Sequence, residues 1–386
     1  MQEVTVKSWG SRLKESLAGI LFGFILIGLS VYLIFWNESH SLHMAQSLSE
    51  ASKELINISP SPINNNNNLH VIYVSGLATT KDKLQDNLLN INLIAISLIR
   101  KVEMYQWQQE EQTRTEKQLG GSERTVKTYT YKKVWSEGLI NSSQFKETTY
   151  QNPTSMPAQS MHQMASHVTL GDFNLPPSVI EKITVDTPVD LSAVDLNKLK
   201  TQFNKPVQLM NNQLFIGQTM QDPQIGDLKI SISAVLPQDI SVIAQQVNNT
   251  LQPYRAKAGE SILLVSSGQV SSESMIREAQ DENHMTMWAI RLVTLIMMIV
   301  GFALLMRPLV ILADVLPFAG TIVEFGTGLI AAIVGFCLWA IFLALAWFTT
   351  RPLFAVGLLI IIALVIYLLW KAKKQKVSNN NPINKV

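Results

Sequence analysis

Four long apolar runs mark this chain, one near its N-terminus and three close together towards its C-terminus. They occupy residues 17–36, 288–306, 325–348 and 353–370. About twenty apolar residues in a helix, each rising about 1.5 Å, span a hydrocarbon layer that is about 30 Å thick. The pattern therefore predicts four transmembrane helices.

The first run is predicted to be an uncleaved membrane anchor. A secretory signal peptide has an apolar core of about 7–15 residues followed by a small-x-small cleavage site. The run at residues 17–36 is longer, and the residues after it read NESH, which is not such a site.

The charged residues around the runs predict the orientation of the chain. Three basic residues precede the first run: Lys7, Arg12 and Lys14. Because cytoplasmic flanks carry an excess of lysine and arginine, residues 1–16 are predicted to be cytoplasmic. Four crossings place the basic tail, residues 371–386, on the same side. Residues 37–287 are then extracytoplasmic.

Residues 307–324 join the second and third runs. This segment is apolar, but it contains Asp314, Pro317 and Gly320, and it is too short and broken to cross a bilayer. It is predicted to be an interfacial or re-entrant joint. Arg291, one turn into the second run, is interpreted as a side chain that reaches the interface along its aliphatic stem.

The large polar region is predicted to be a β-rich α+β domain. Residues 227–236 show the cleanest alternation of apolar and polar side chains in the chain, and residues 69–76, 91–107 and 126–135 are rich in β-branched and aromatic types. The polar segment between the last two, which contains a Gly-Gly turn, predicts a hairpin with a long polar tip. A helix that continues from the first membrane run is predicted to extend to residue 55.

Aromatic residues occupy one face of the strand at residues 126–135. Tyr129, Tyr131 and Trp135 share that face because side chains alternate along a strand. Such a face is usually part of a core, and a binding platform is the alternative. A short helix at residues 192–199 is also predicted, with Ser192 and Asp195 resembling a capping box.

Composition excludes several kinds of function. Hydrophobic residues make up 47% of the chain and charged residues 16%, and the net charge of +2 gives no field for binding nucleic acid. Cys337 is the single cysteine, so an intrachain disulfide and a cysteine-based zinc site are excluded. The chain contains no phosphate-binding loop, HExxH, GxSxG or dinucleotide motif. No catalytic residue, metal site or cofactor is therefore predicted.

Residues 102–107 read VEMYQW, which resembles the signature of the transmembrane protein 43 (LUMA) family. Weaker matches follow at Tyr129, Tyr131 and Trp135, and at the short motifs INS, NP, IGDL and GESIL, residues 140–142, 152–153, 225–228 and 259–263. The resemblance implies a multi-pass protein with a large domain in the lumen or the bacterial equivalent. It also implies an organiser of protein complexes at the endoplasmic reticulum and inner nuclear membrane, without enzyme activity.

Three groups of residues are candidates for function. Gly19 and Gly23 form a small-xxx-small pair that suits close helix packing. The basic tail suits lipid head groups and the setting of orientation; its lysines are Lys371, Lys373, Lys374 and Lys376. The signature is a structural or partner-binding segment, comprising Val102, Glu103, Met104, Tyr105, Gln106 and Trp107.

These observations predict a non-enzymatic scaffold that organises membrane protein complexes. Its expected partners are membrane lipids, other membrane proteins and further copies of itself, and its expected location is a bacterial inner membrane or, in a eukaryote, the endoplasmic reticulum and inner nuclear membrane. The alternative is a protein that binds lipid or takes part in lipid homeostasis at the membrane surface. A channel or transporter ranks third, because the four runs contain no acidic residue.

Overall fold

The structure is a computed structural model that describes residues 1–184, 186–315 and 317–348 and six isolated positions between 356 and 367. The chain divides into two compact units. The first comprises Met1–Glu3, Ser47–Thr113 and Lys127–Ala279, and the second comprises Val4–Gln46, Arg114–Val126 and Gln280–Val386.

The described residues include long helices at both ends of the chain and strands between them. The helices are α1 (Trp9–Glu54), α2 (Pro177–Ile180), α3 (Leu196–Phe203), α4 (Ser272–Ala313) and α5 (Pro317–Phe348). The strands are β1 (Gln2–Lys7), β2 (Ile56–Ile58), β3 (Val71–Thr80), β4 (Lys83–Asp86), β5 (Ile91–Ile94), β6 (Ser97–Lys117), β7 (Glu123–Ser136), β8 (Met161–Met164), β9 (Val168–Leu170), β10 (Phe173–Leu175), β11 (Thr187–Pro188), β12 (Val207–Met210), β13 (Gln213–Ile216), β14 (Leu228–Val235), β15 (Gln238–Val247), β16 (Thr250–Gln252), β17 (Tyr254–Arg255), β18 (Ser261–Ile262) and β19 (Leu264–Ser267).

Two sheets enclose the core of the first unit. One follows the order β1-β7-β6-β14-β13-β12, with β8 paired to β6 and β11 to β14, and the other follows β19-β15-β16-β10-β9-β3-β2. Buried side chains from both sheets belong to one core cluster, which includes Ile230 and Ile232 from β14 and Val242 from β15. The predicted alternation of β14 is confirmed, since its buried and half-buried positions alternate as far as Ala234.

The cap of α3 differs from the predicted capping box. Asp195 is the N-cap, and its carboxylate accepts hydrogen bonds from the backbone N–H groups of Asn197 and Lys198. Ser192 instead donates its hydroxyl to Asp190 and also bonds to that carboxylate through its backbone N–H. The prediction that α3 starts near Ser192 was wrong, because the Asp190 turn occupies the hydroxyl that the helix would use.

The predicted hairpin with a long polar tip is confirmed. Strands β6 and β7 are neighbours in the sheet, and the turn between them has positive φ angles at Gly120 (82°) and Gly121 (77°). Glycine adopts this left-handed region without the steric cost that a Cβ imposes.

Three helices among the described residues are long and apolar enough to cross a membrane: Trp9–Glu54, Ser272–Ala313 and Gly320–Phe348. Helix α1 continues past its apolar run to Glu54, as predicted. The fourth predicted helix, residues 353–370, and the basic tail lie outside the described residues, except for the isolated positions, so four helices are not confirmed.

Helices α1 and α4 pack antiparallel through small and polar residues. A Cβ placed on Gly23 would lie 2.8 Å from the carbonyl oxygen of Gly301, whereas one placed on Gly19 would meet no atom within 4 Å. The hydroxyl of Ser30 donates to the carbonyl of Thr294 at 2.8 Å. Of the two glycines in the predicted pair, Gly23 therefore lies at a helix contact and Gly19 does not.

The predicted joint at residues 307–324 is divided between two helices. Helix α4 continues through Pro308 to Ala313, a short turn follows, and α5 starts at Pro317. A buried carboxylate, that of Asp314, lies in this turn.

Each end of this helix bundle holds a buried ion pair. At one end Arg291 donates two hydrogen bonds, of 2.6 and 2.7 Å, to the carboxylate of Glu38, which also accepts from the indole N–H of Trp347. Arg291 is 4% exposed. The sequence did not predict this ion pair, and the placement of Arg291 at the interface stays a prediction.

At the other end Arg12 bonds to the carboxylates of Asp314, at 2.6 Å, and Glu123, at 2.9 Å. Lys117 bonds to Asp314 and to Glu324. Burial by itself lowers the pKa of Lys117, but the hydrogen bonds to Glu324 and Asp314 outweigh it and raise the pKa above its ordinary value. This group of five side chains is called the Arg12 cluster below.

The Arg12 cluster bears on the predicted topology. At about 1.5 Å per residue, Arg12 and Glu38 lie about 40 Å apart along α1, close to the thickness of a bilayer with its head groups. Glu123 belongs to the region predicted to be extracytoplasmic, yet it contacts Arg12, which is predicted to be cytoplasmic. Both placements cannot hold if α1 crosses the bilayer, because polar strands do not lie in hydrocarbon. The topology stays a prediction.

The two glycines of α1 provide a matched test of helix packing. We expect Gly23→Ala to lower the free energy of unfolding by about 1–3 kcal/mol, because its Cβ would overlap the backbone of α4. Gly19→Ala should be neutral or stabilising, since alanine favours a helix more than glycine does. Thermal unfolding of the two purified variants in detergent measures this, and equal losses of stability would contradict the contact.

The topology can be tested by reaction of single cysteines with a membrane-impermeant maleimide, in a Cys337→Ser background. Ser8→Cys and Leu119→Cys should react from the same side, because the Arg12 cluster holds the segments that carry them. Reaction from opposite sides would show that the cluster does not form in the membrane. Labelling of Leu119→Cys from the cytoplasm would refute the predicted extracytoplasmic placement at the hairpin tip. Labelling of Asn66→Cys from the cytoplasm would refute that placement for the first unit.

Candidate functional site

The signature strand presents two different faces. Val102, Met104 and Gln106 are fully buried against the core of the first unit. The intervening side chains Tyr105 and Trp107 are half-buried on the opposite face. Glu103, also on this face, pairs with Lys101 at 3.3 Å.

The buried amide of Gln106 is satisfied by a neighbouring loop. Its Nε2 donates to the carbonyl of Gly138 at 2.9 Å, and its Oε1 accepts from the backbone N–H of Ile140 at 2.8 Å. A buried amide without partners costs about 1–3 kcal/mol. The pair of bonds therefore fixes the residue 138–140 loop to the signature strand.

Asn152 acts as a substitute strand partner for Trp107. Its Oδ1 accepts from the backbone N–H of Trp107 at 2.7 Å, and its Nδ2 donates to the carbonyl of Trp107 at 2.9 Å and to that of Ile140 at 3.1 Å. The backbone N–H of Asn152 donates to the hydroxyl of Ser142. One side chain thus replaces the two hydrogen bonds that a neighbouring strand would form with Trp107.

The turn before β14 completes the frame around the signature. Tyr105 exchanges backbone hydrogen bonds with Asp227 and Gly226, and Gly226 has a φ of 88°. The carboxylate of Asp227 is 3% exposed and accepts from Lys205 at 3.0 Å and from the backbone N–H of Gln224 at 2.8 Å. This carboxylate fixes the turn that ends the pairing of β14 with β6.

Stacked rings cover the outer face of the signature strand. Tyr105 contacts Trp135 with ring centroids 4.9 Å apart, Trp107 meets Tyr150 edge-on at 4.8 Å, and Tyr150 stacks on Tyr131 at 4.0 Å. Rings at these spacings attract one another beyond their burial. We call these five residues the aromatic face.

Two lysines lie over the aromatic face. The Lys133 ammonium is 5.3 Å from the ring centroid of Trp107 and 5.9 Å from that of Tyr105, and Lys229 is 4.1 Å from that of Trp135. Cation–π contacts at exposed sites contribute about 0.5–1 kcal/mol each. The result is a braced surface of half-buried aromatic rings and cations, which suits binding.

The prediction that the aromatic strand face is core holds for one residue of the three. Tyr129 is 3% exposed and donates its hydroxyl to Glu3, whereas Tyr131 and Trp135 remain half-buried. Hydrogen bonds from Lys146 and from Tyr129 lower the pKa of Glu3. Burial and the hydrogen bond to Glu3 raise the pKa of Tyr129. For Tyr131 and Trp135 the core interpretation does not hold, and the alternative, a binding platform, stays a prediction.

No group of three or more metal-ligating side chains occurs among the described residues. The candidate lysines of the tail lie outside them. Reasoning from the sequence missed the role of Asn152, which is separated by 45 residues from Trp107. The Asn-Pro motif was the only local signal for it.

Comparison with known proteins shows which family the chain matches. A sequence model of the family described as transmembrane protein 43 matches residues 104–352. The chain belongs to the transmembrane protein 43 family. It is 30% identical to transmembrane protein 43 of Mus musculus over 371 residues, which cover 92% of this chain and 90% of the relative.

Other relatives support the same assignment. Transmembrane protein 43 of Homo sapiens is 30% identical over 358 residues, which cover 89% of this chain and 87% of that protein. The transmembrane protein 43 homolog of Drosophila melanogaster is 28% identical over 69% of this chain and 71% of its own length. No solved structure matches the chain.

Family membership confirms the resemblance found in the sequence and, with three apolar helices, makes this an integral membrane protein. Most of the segments that carried the resemblance meet at one place. Residues 102–107, 140–142, 152–153 and 225–228 are joined by the hydrogen bonds of Gln106, Asn152 and Tyr105.

Removing the Asn152 amide tests this frame. We expect Asn152→Ala to lower the free energy of unfolding by about 1–3 kcal/mol, because it leaves the N–H and carbonyl of Trp107 without partners. Asn92→Ala is the control, since Asn92 is exposed on β5 and should change stability by about 0.5 kcal/mol or less. Unfolding followed by tryptophan fluorescence measures both, and equal stabilities would remove Asn152 from the frame.

Proposed function

We propose that this protein is a non-enzymatic, multi-pass membrane scaffold that organises protein complexes through the aromatic face of its first unit. The carrying observation is a surface of half-buried tyrosine and tryptophan rings held by hydrogen bonds from three other segments. Aromatic residues are enriched at the centres of protein interfaces, where they supply most of the binding energy.

The rigidity of this surface supports the proposal. Binding costs less when the binding side chains are already ordered in the free protein. Tyr131 is held on both sides, because its ring stacks on Tyr150 and its hydroxyl donates to Gln109 and accepts from the backbone N–H of Glu147. The aromatic face therefore loses little conformational freedom when a partner binds.

The proposed partners are other membrane proteins and further copies of this chain. The exposed apolar surface of the bundle, with Phe22, Phe24 and Ile25 on α1, supports contact with lipid and with other helices. A bacterial inner membrane, or the endoplasmic reticulum and inner nuclear membrane of a eukaryote, is the proposed location.

Lipid binding is the second candidate function. A cavity at the Arg12 end of the bundle, with one apolar wall and one charged wall, favours it. A channel ranks third, because the buried ionic groups of the bundle, such as Glu38 and Arg291, are engaged in ion pairs.

Two neighbouring lysines on β7 test the scaffold proposal. Lys133→Glu places a negative charge over the rings of Tyr105 and Trp107 and should reduce capture of partners from gently solubilised membranes by about ten-fold. Lys132→Glu is the control, because Lys132 lies on the other face of the strand and pairs with Glu110. Both variants should elute as the same oligomer as the wild type if the partner is a different protein.

Recovery of the monomer alone from wild-type membranes would refute the scaffold proposal. Equal capture by both lysine variants would show that partners bind elsewhere than on the aromatic face.

A further inference from the structure

A cavity of about 680 Å³ lies in the second unit between α1, α4, α5 and the hairpin tip. Cavities that hold small molecules measure about 300–1,000 Å³. One wall is apolar and includes Val300, Leu304 and Ile311, and the other carries Lys117, Arg307 and Glu324. A ligand that fills this space needs an apolar part and a charged part.

The two walls meet on one face of α4. Val300, Leu304, Arg307 and Ile311 are spaced by four, three and four residues, which places them in one row along a helix. The row thus passes from Val300 and Leu304 in the bundle to the guanidinium of Arg307, with Ile311 one turn beyond it. An acyl chain and a head group are arranged in this order in a phospholipid.

Of the three cations that line the cavity, one has no direct ion pair among the described residues. Arg12 pairs with Glu123 and Asp314, and Lys117 pairs with Asp314 and Glu324. Arg307 is exposed. It interacts electrostatically with Glu15, which lies beside the same end of the bundle, but among the described residues it forms no direct ion pair. An added anion therefore gains most at Arg307, whose guanidinium suits two parallel hydrogen bonds to a phosphate.

We propose that this cavity binds an anionic phospholipid, with its phosphate on Arg307 and an acyl chain along Val300 and Leu304. The apolar wall selects a lipid over free phosphate, because a soluble anion would leave that wall exposed to water. The proposal deepens the second candidate function and rests on placement of the bundle in a membrane. It does not depend on the aromatic face or on a scaffold role.

Native mass spectrometry of the full-length protein in detergent can count bound lipids. Phosphatidylglycerol should bind and phosphatidylcholine should bind less, and Arg307→Gln should weaken binding of phosphatidylglycerol by about ten-fold, the effect of one charge-assisted hydrogen-bond pair. Lys14→Gln is the matched control, because Lys14 is exposed near the same end of α1 but does not line the cavity. It should bind lipid as the wild type does.

A second variant tests the cavity itself. Gly328 lines it, and a Cβ there would meet no atom within 4 Å, so Gly328→Leu should occupy the space without disturbing α5. This variant should keep the wild-type melting temperature and lose phosphatidylglycerol.

Three results would overturn the proposal: equal weakening by Arg307→Gln and Lys14→Gln, wild-type lipid binding by Gly328→Leu, or complete displacement of the lipid by inorganic phosphate. Capture of partners by Arg307→Gln should remain at the wild-type level. A failure of the lipid site can therefore be distinguished from a failure of the scaffold proposal.

Discussion

The fold around the signature depends on hydrogen bonds to the backbone of β6 beyond the point where its neighbour β14 turns away. Strand β14 pairs with β6 as far as Leu228 opposite Met104, and then Gly226 turns the chain aside. Beyond that point the N–H and carbonyl of Trp107 need another partner, because buried backbone groups without hydrogen bonds are costly. The amide of Asn152 supplies both bonds. The position of the aromatic face follows from this substitution.

The second unit is held together differently. In a membrane the hydrophobic effect contributes little to the association of helices, because lipid tails are as apolar as the side chains. Close approach at Gly23 and Gly301 supplies van der Waals contact, and ion pairs at both ends fix the depth of each helix. Removing one partner of a buried ion pair lowers the free energy of unfolding by about 3–5 kcal/mol, because the other charge stays buried without a partner. Each ion pair therefore specifies which helices meet. Beside the cavity, Arg307 takes no part in these ion pairs and forms no direct ion pair among the described residues.

Hydrophobic periodicity predicted much of this architecture because it reflects local geometry. The apolar runs of α1, α4 and α5, the alternation of β14 and the turn at Gly120 all depend on residues close together in the sequence. The predicted start of α3 near Ser192 was wrong because two local structures compete there. The hydroxyl of Ser192 bonds to Asp190 in a turn, and Asp195 caps the helix instead. The sequence pattern also missed the ion pair of Arg291, because the counterion Glu38 lies 253 residues away in the sequence.

The apolar runs and the alternating strands were enough to predict a membrane protein with a β-rich domain, and VEMYQW indicated a family that the comparisons then established, because these features lie in short stretches of residues. Only the tertiary structure decided that Gln106 is buried while Trp107 lies on an outer face beneath Lys133. Only it brought Arg12 to Asp314 across 302 residues. The physical reason is that hydrogen bonds and ion pairs between distant segments depend on how the elements pack, and no local pattern of residues encodes that packing.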